Sequence, residues 1–225
     1  MNKIHKTVII EGDVKIGMNN EIMPYSILIG PLKIGDDNWI GPHVVIGTPG
    51  EDTKDPRHDC SEKLIKIGNR NIFREHVAIQ KPCYEDLTII NDDCFFMHGS
   101  HIPHDAIISS QVTLAPNVVV GGLTKLLLGS NIGMGAALHQ DSIIGHYSIV
   151  ATNAAVIKNV KPFSRYIPGK PISVNTYAIK KYGFVEFENE IIDYVLNNVM
   201  PKSNVIERIV AEFNYLHKLS GRRIY

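Results

Sequence analysis

Apolar residues recur at every sixth position along most of this chain. From Ile90 the slots read Ile90, Phe96, Ile102, Ile108, Leu114, Val120, Leu126, Ile132, Leu138, Ile144, Val150 and Val156, with no polar interruption. A period of six is neither the 3.6 of a helix nor the 2 of a simple strand. It is the hexapeptide repeat of a parallel β-helix, in which each hexad supplies one short strand and a corner. The slot residue points inward. A small residue often follows it, as in Val120-Gly121, Ile132-Gly133, Ile144-Gly145 and Val150-Ala151, and lets the chain turn where side chains would crowd. The same beat runs earlier through Ile10, Ile16, Ile22, Leu28, Ile34, Ile40 and Ile46, and resumes phase-shifted at Ile67, Phe73 and Ile79. The interruptions, 48–63 and 81–87, are rich in Pro, Gly and charge and read as loops extruded from the coil. Three slots per triangular turn give about seven coils of about 18 residues, stacked at ~4.8 Å. The fold expected is all-β, a parallel β-helix in the form of a triangular prism.

Beyond residue 174 the period changes. Phe187, Ile191, Tyr194, Val195 and Val199 fall on a helical repeat, as do Val205, Ile209, Phe213 and Leu216. Asn204 with Glu207 three residues later has the form of a capping box. The spacing predicts a prism over 1–174 and a short α-helical part over 175–225 that covers the prism's open end, since an uncovered terminal coil leaves unpaired edges and exposed core.

Charge narrows the partners. Lys and Arg number 23, as do Asp and Glu, so no net field favours nucleic acid or an anionic membrane. No apolar run is long enough for a membrane span, and the start, MNKIHKTVII, lacks the apolar core of a signal peptide. A cytoplasmic protein is expected. Cys60, Cys83 and Cys94 are odd in number and lack metal-ligand spacing, so they read as free thiols.

The richest chemistry lies in MHGSHIPHDAII, which carries His98, His101, His104 and Asp105. Residues 18 apart stack in consecutive coils, so His104 lies under Gly122, Gly122 lies under Gln140, and His139 stands beside that column. A histidine base can take a proton from an attacking hydroxyl or amine. A backbone N–H at a glycine can stabilise the oxyanion that follows. These are the parts of an acyl-transfer site. Asp105 could orient the imidazole, although neighbours on a strand point to opposite faces. His98 and His104, one hexad apart, fall on different corners and cannot meet at one ion within a subunit. No metal and no bound cofactor are expected.

These motifs resemble the family of UDP-N-acetylglucosamine acyltransferases of lipid A synthesis, together with relatives that acylate nucleotide-linked amino sugars. HIPHD (101–105) is similar to the family's H-I-A-H-D, which implies His104 as general base, with His101 and Asp105 beside it. IGTPGEDTK (46–54) is similar to the loop that holds the acceptor sugar, which implies Glu51, Asp52 and Lys54 as substrate contacts. LAPN (114–117) leads to Gly122 at the oxyanion position, and LHQ (138–140) places His139 and Gln140 along the acyl and pantetheine groove. NTYAIKKYGF (175–184) implies Asn175 and Lys181 as contacts of the nucleotide. Thr152 stands where a residue measures the acyl chain. The resemblance implies a left-handed prism, a homotrimer with sites between subunits, and an acyl-CoA or acyl-carrier-protein donor with a nucleotide sugar as acceptor.

The chain departs from the family's pattern at several points. Leu123 replaces a His, Glu51 a Gln, Tyr177 a Glu, and Lys181-Tyr182 a pair of arginines. Thr152 replaces the Gly of long-chain enzymes, which implies a shorter groove, and the C-terminal helical part is shorter than usual; together these departures favour a short acyl chain or an altered acceptor over the lipid A enzyme itself. A metal enzyme of the γ-carbonic-anhydrase kind and a silent scaffold are the readings from other classes.

Overall fold

The structure, a computed structural model, describes residues 1–55 and 59–225. Residues 56–58, inside the loop expected over 48–63, lie outside the described residues. The hexad slots from Ile22 onward close into one core, with Ile16 packed against it and Ile10, in the first coil, exposed. Among them Leu28, Ile40, Ile46, Phe73, Phe96, Ile102, Leu114, Leu126, Ile132 and Val150 are fully buried, and the Phe73 and Phe96 rings stack with centroids 5.0 Å apart. Three sheets form the faces, of ten, eight and seven strands, parallel throughout except for the last strand of the ten-stranded one, and each parallel strand pairs with those one coil away. The register keeps the beat: His101 pairs with Val119, and Val119 with Ala137. Across the two loops the same face pairs Val45 with Ala78 and Ala78 with His101, so the inserted residues leave the stacking intact.

The prism runs a strand further at each end than the slot count from Ile10 to Val156. Lys3–Ile4 pairs with Glu21–Ile22, and Ser164–Tyr166 pairs with Ile149–Val150. At one corner a buried asparagine ladder links the layers: Asn20 Oδ1 accepts from the Asn38 N–H, and Asn38 Oδ1 from the Asn71 N–H, both at 2.9 Å.

The C-terminal part holds three α-helices, α1 (Thr176–Lys181), α2 (Glu188–Asn197) and α3 (Asn204–Ser220), with a short 3-10 turn, Val185–Phe187, leading into α2. The pattern led to the expectation that they cover the open end; instead they pack on one corner. Ile179, Ile191, Val195, Ile206 and Val210 join Tyr147 and Phe163 there, and Phe213 packs on Leu127 and Ile143. The end itself is closed by strand Ser173–Val174, antiparallel to Ser164–Tyr166, and by Tyr225, whose ring lies 4.2 Å from that of Tyr166. The Asn204–Glu207 capping box does not form. Ser203 is the N-cap, and Glu190 of α2 accepts from the Ser203 N–H and hydroxyl, so the start of α3 is held from a neighbouring helix.

Candidate active site

The site lies on the corner that follows the strands His101–Ile102, Val119–Val120 and Ala137–Leu138. His104, Gly122 and Gln140 occupy equivalent places in three successive coils, as the repeat requires. The contact between the first two is close. A Cβ on Gly122 would sit 2.2 Å from His104 Cε1 and 2.4 Å from Nε2, so only a glycine leaves room for the imidazole. The Gly122 carbonyl accepts from the Asp141 N–H at 2.7 Å, while among the described residues the Gly122 N–H has no acceptor. His104 is thus seated against the turn that carries this free amide.

The imidazole is oriented from its other side. His104 Nδ1 is 2.7 Å from Asp105 Oδ2. A carboxylate only accepts, so Nδ1 carries the proton and the Nε2 lone pair is left towards Gly122. Asp105 is buried, and burial pushes its carboxyl up. The hydrogen bond from His104 and those from the backbone N–H groups of Glu85, Tyr84 and Cys83 outweigh burial and hold it below the usual carboxylate value. The Asp105 N–H donates to Thr88 Oγ1 at 3.0 Å. The expectation that consecutive residues diverge therefore fails here. Asp105 sits at a corner with φ of 60°, a left-handed conformation that Asp tolerates better than most residues, and the turn brings its carboxylate back to the imidazole.

The loop after Thr48 folds over this pair. Gly50 is the close approach: a Cβ there would lie 2.6 Å from His104 Cβ and 2.5 Å from Cys83 Sγ. Asp52 accepts from the Lys54 N–H at 2.9 Å and from the Tyr84 hydroxyl at 2.7 Å, and both hold its carboxyl below the ordinary value. The Tyr84 ring meets His104 edge-on, with centroids 5.8 Å apart. Sequence reasoning missed Tyr84. It lies in the second loop, and no spacing rule says that this loop reaches back to the first.

Glu51, His101, His104, Gly122, His139 and Gln140 line one cleft of about 320 Å³. His101 is half-buried, and its buried Nε2 has no partner among the described residues. Burial lowers its pKa and keeps it neutral, although Glu51 pulls the other way. Asp52 and Glu51 border the adjoining hollow over residues 49–53. The remaining expected contacts lie elsewhere in the subunit. Asn175 and Lys181 border a crevice with Tyr177 and Tyr182 on the corner that carries the helices. Asn175 is buried and occupied: its amide donates to the Tyr147 carbonyl at 2.8 Å and its oxygen accepts from the Ala178 N–H, capping α1. Thr152 follows strand Ile149–Val150 on the third corner, exposed, and its N–H atom lies against Gly133.

Cys83 lies beside the base but is a poor nucleophile. Burial, then the charges of Asp105 and Asp52, push its thiol up to about 12, so it stays protonated at neutral pH. Cys83, His104 and Asp105 could also present ligand atoms to a cation, all within 4.8 Å of one another. The Asp105 oxygens are already taken up by His104 and three backbone N–H groups, which makes this a hydrogen-bonded base rather than an open ligand set. The chemistry offered is general-base activation of a nucleophile under an amide that can take the oxyanion.

The comparisons with known proteins bear on the repeat and the fold. Residues 13–48 match the profile of the bacterial transferase hexapeptide family (six repeats). The acyl-[acyl-carrier-protein]–UDP-N-acetylglucosamine O-acyltransferase of Aliivibrio fischeri is 27% identical over 231 residues, covering 94% of this chain and 88% of that one. The enzyme of that name from Aliivibrio salmonicida is 28% identical, covering 93% and 87%. LpxA of Acinetobacter baumannii superposes with a TM-score of 0.71 at 24% identity, over 98% of this chain and 97% of that one. LpxA of Bacteroides fragilis, a UDP-N-acetylglucosamine acyltransferase, superposes with a TM-score of 0.71 at 23% identity, over 95% of each. Fold and repeat together define a left-handed parallel β-helix of the hexapeptide-repeat class. Within that class, the chain resembles the UDP-N-acetylglucosamine acyltransferases along almost its whole length.

Proposed function

We propose that the protein transfers an acyl group from a phosphopantetheine thioester, on a carrier protein or CoA, to a hydroxyl or amine of a UDP-linked N-acetylglucosamine-type sugar. The observation that carries this reading is the His104–Asp105 pair lying directly beneath Gly122, with the loop bearing Asp52 folded over both. His104 Nε2 accepts the proton of the attacking group. The Gly122 N–H takes the charge that develops on the thioester oxygen. Asp105 holds the tautomer and stabilises the imidazolium. When the tetrahedral intermediate collapses, His104 returns the proton to the leaving thiolate. Asp52, Lys54 and Glu51 hold the sugar, and His101, His139 and Gln140 border the donor's path.

In one subunit the corner with His104, the corner with Thr152 and the corner with Asn175 and Lys181 lie apart. A homotrimer that sets one subunit's corner against its neighbour's face would complete the site, with Thr152 limiting the chain and Lys181 near the nucleotide. Among the described residues no helix is long and apolar enough to cross a membrane, which accords with substrates met in the cytoplasm.

Purified protein is tested with UDP-N-acetylglucosamine and its 3-amino analogue against carrier-protein and CoA thioesters of two and of ten or more carbons. One combination turns over, and His104→Ala abolishes it. Activity unchanged in His104→Ala removes the base from the mechanism.

A further inference from the structure

The corner column does not stop at Gln140. Ile157 stands above His139, as Val156 pairs with Leu138 one residue earlier, and Lys158 follows it on a corner two residues shorter than those below, where Val160 already pairs with Ile144. At this level the C-terminal tail returns to the prism. The Asn159 N–H donates to the Arg223 carbonyl at 2.9 Å, the Tyr225 N–H donates to the Asn159 carbonyl at 3.0 Å, and the Ile157 N–H donates to the Tyr225 hydroxyl at 3.0 Å. These bonds carry Arg222 onto the corner. Its Nη2 donates to the Ile157 carbonyl at 2.7 Å and lies 3.3 Å from His139 Nδ1. Its Nε is buried and has no acceptor among the described residues. Lys158 Nζ sits 5.0 Å from the Tyr225 ring centroid. No described carboxylate lies within ion-pair distance of Arg222, Arg223 or Lys158. The result is positive charge without an ion-pair partner among the described residues, joined through Arg222 to His139, which borders the cleft together with Gln140.

The distance identifies what this charge meets. Three coil steps separate His104 from Lys158, roughly 14 Å at ~4.8 Å per step. A phosphopantetheine arm has about 13 bonds between its sulfur and its phosphorus, and spans at most roughly 16 Å with ordinary bond lengths. With the thioester at His104 and Gly122, an extended arm along the column ends where the tail delivers the guanidinium. Arginine's fork matches two phosphate oxygens at once, and a lysine adds a point charge.

We propose that Arg222, returned to the prism by the C-terminal tail, and Lys158 hold the phosphate of the donor's phosphopantetheine arm. The inference rests on the acyl-transfer reading. The shared chemistry is a phosphate ester, present both in CoA and on a carrier protein. The tail is then part of the donor site.

The test compares kcat/KM for an acyl-phosphopantetheine with that for the same acyl-pantetheine lacking the phosphate. Wild-type protein favours the phosphorylated donor at least tenfold. Arg222→Ala and, separately, Lys158→Ala collapse that ratio towards one, and Arg222→Lys retains part of it. Acyl-CoA and acyl-carrier protein lose activity in parallel in both alanine variants. A ratio near one in the wild type overturns the proposal. So does an equal loss on both truncated donors, which marks Arg222 as a tail anchor only. A loss confined to acyl-carrier protein overturns it in favour of a protein-surface contact. Failure of every donor to turn over sinks the acyl-transfer reading itself, a different outcome from turnover without phosphate preference.

Discussion

His104 and Asp105 are consecutive in the chain, yet their side chains meet, with Nδ1 and Oδ2 2.7 Å apart. The left-handed turn at Asp105 makes this possible, and the backbone N–H groups of Cys83, Tyr84 and Glu85 fix the carboxylate in place. The base is therefore oriented by a residue that is itself held by the second loop, so loop and catalysis are linked.

Asp105→Asn tests that link. The amide offers Nδ1 an N–H as readily as an acceptor, and faces backbone donors that it satisfies less well. The imidazole loses its fixed tautomer. Rates fall by roughly 10²–10⁴-fold, the range of a positioned general base, with the acceptor KM little changed. Steady-state kinetics on a variant whose circular dichroism matches the wild type checks it. A loss under threefold would separate Asp105 from the proton transfer.

Gly122→Ala separates catalysis from stability. The new methyl would lie 2.2 Å from the edge of the imidazole, not from backbone. A side-chain ring can swing away, so the prism tolerates the change while the base is displaced from the amide. Turnover drops at least about a hundredfold, the scale of losing one oxyanion donor or a misplaced reacting group. The melting temperature shifts by no more than a few degrees. Retained turnover would show that His104 works from another position.

Much of this was legible in the sequence because the six-residue beat is a ruler. It fixed which residues stack, and so it placed His104 under Gly122 from counting alone. What it could not read was anything that leaves the beat. Tyr84 and Cys83 sit in an inserted loop, and their contacts depend on how that loop folds back. The pairing of His104 with Asp105 turns on one positive φ, which a strand rule does not foresee. The helices were visible from their apolar period, but the period says which face is buried and not against what. They therefore fell on a corner bearing Tyr147 and Phe163 rather than on the end. Arg222 had no local signal at all, since its place is set by the tail's hydrogen bonds to Asn159.

Tyr84 joins the acceptor loop to the base, through its hydroxyl on Asp52 and its ring edge against His104. The two contacts divide between two variants. Tyr84→Phe removes only the hydrogen bond to a carboxylate, worth about 1.5 kcal/mol at the low end for charged partners, and raises the acceptor KM about tenfold with kcat nearly unchanged. Tyr84→Ala also frees the imidazole edge and lowers kcat. Identical kinetic constants for the phenylalanine variant and the wild type would mean that Asp52 does not rely on the hydroxyl.

The seam between prism and helices carries a different dependence, on pH. His146 is buried with neither ring nitrogen hydrogen-bonded among the described residues, and Glu212 of α3 is 3.6 Å away, beyond a hydrogen bond. Burial lowers its pKa to about 4 from an ordinary 6.5. Above pH 6.5 the folded and unfolded chains both hold it neutral, and it does not affect their balance. As pH falls below 6.5 the unfolded chain takes up a proton that the folded chain refuses until about pH 4. Stability is thus lost as the pH falls through that window, by about 2 kcal/mol at pH 5 and about 3 kcal/mol in full. His146→Gln cannot charge, so its loss of stability between pH 7.5 and 5, read from urea unfolding midpoints, is smaller than that of the wild type by about that amount. If the two proteins lose stability equally over this range, His146 charges without opening the seam.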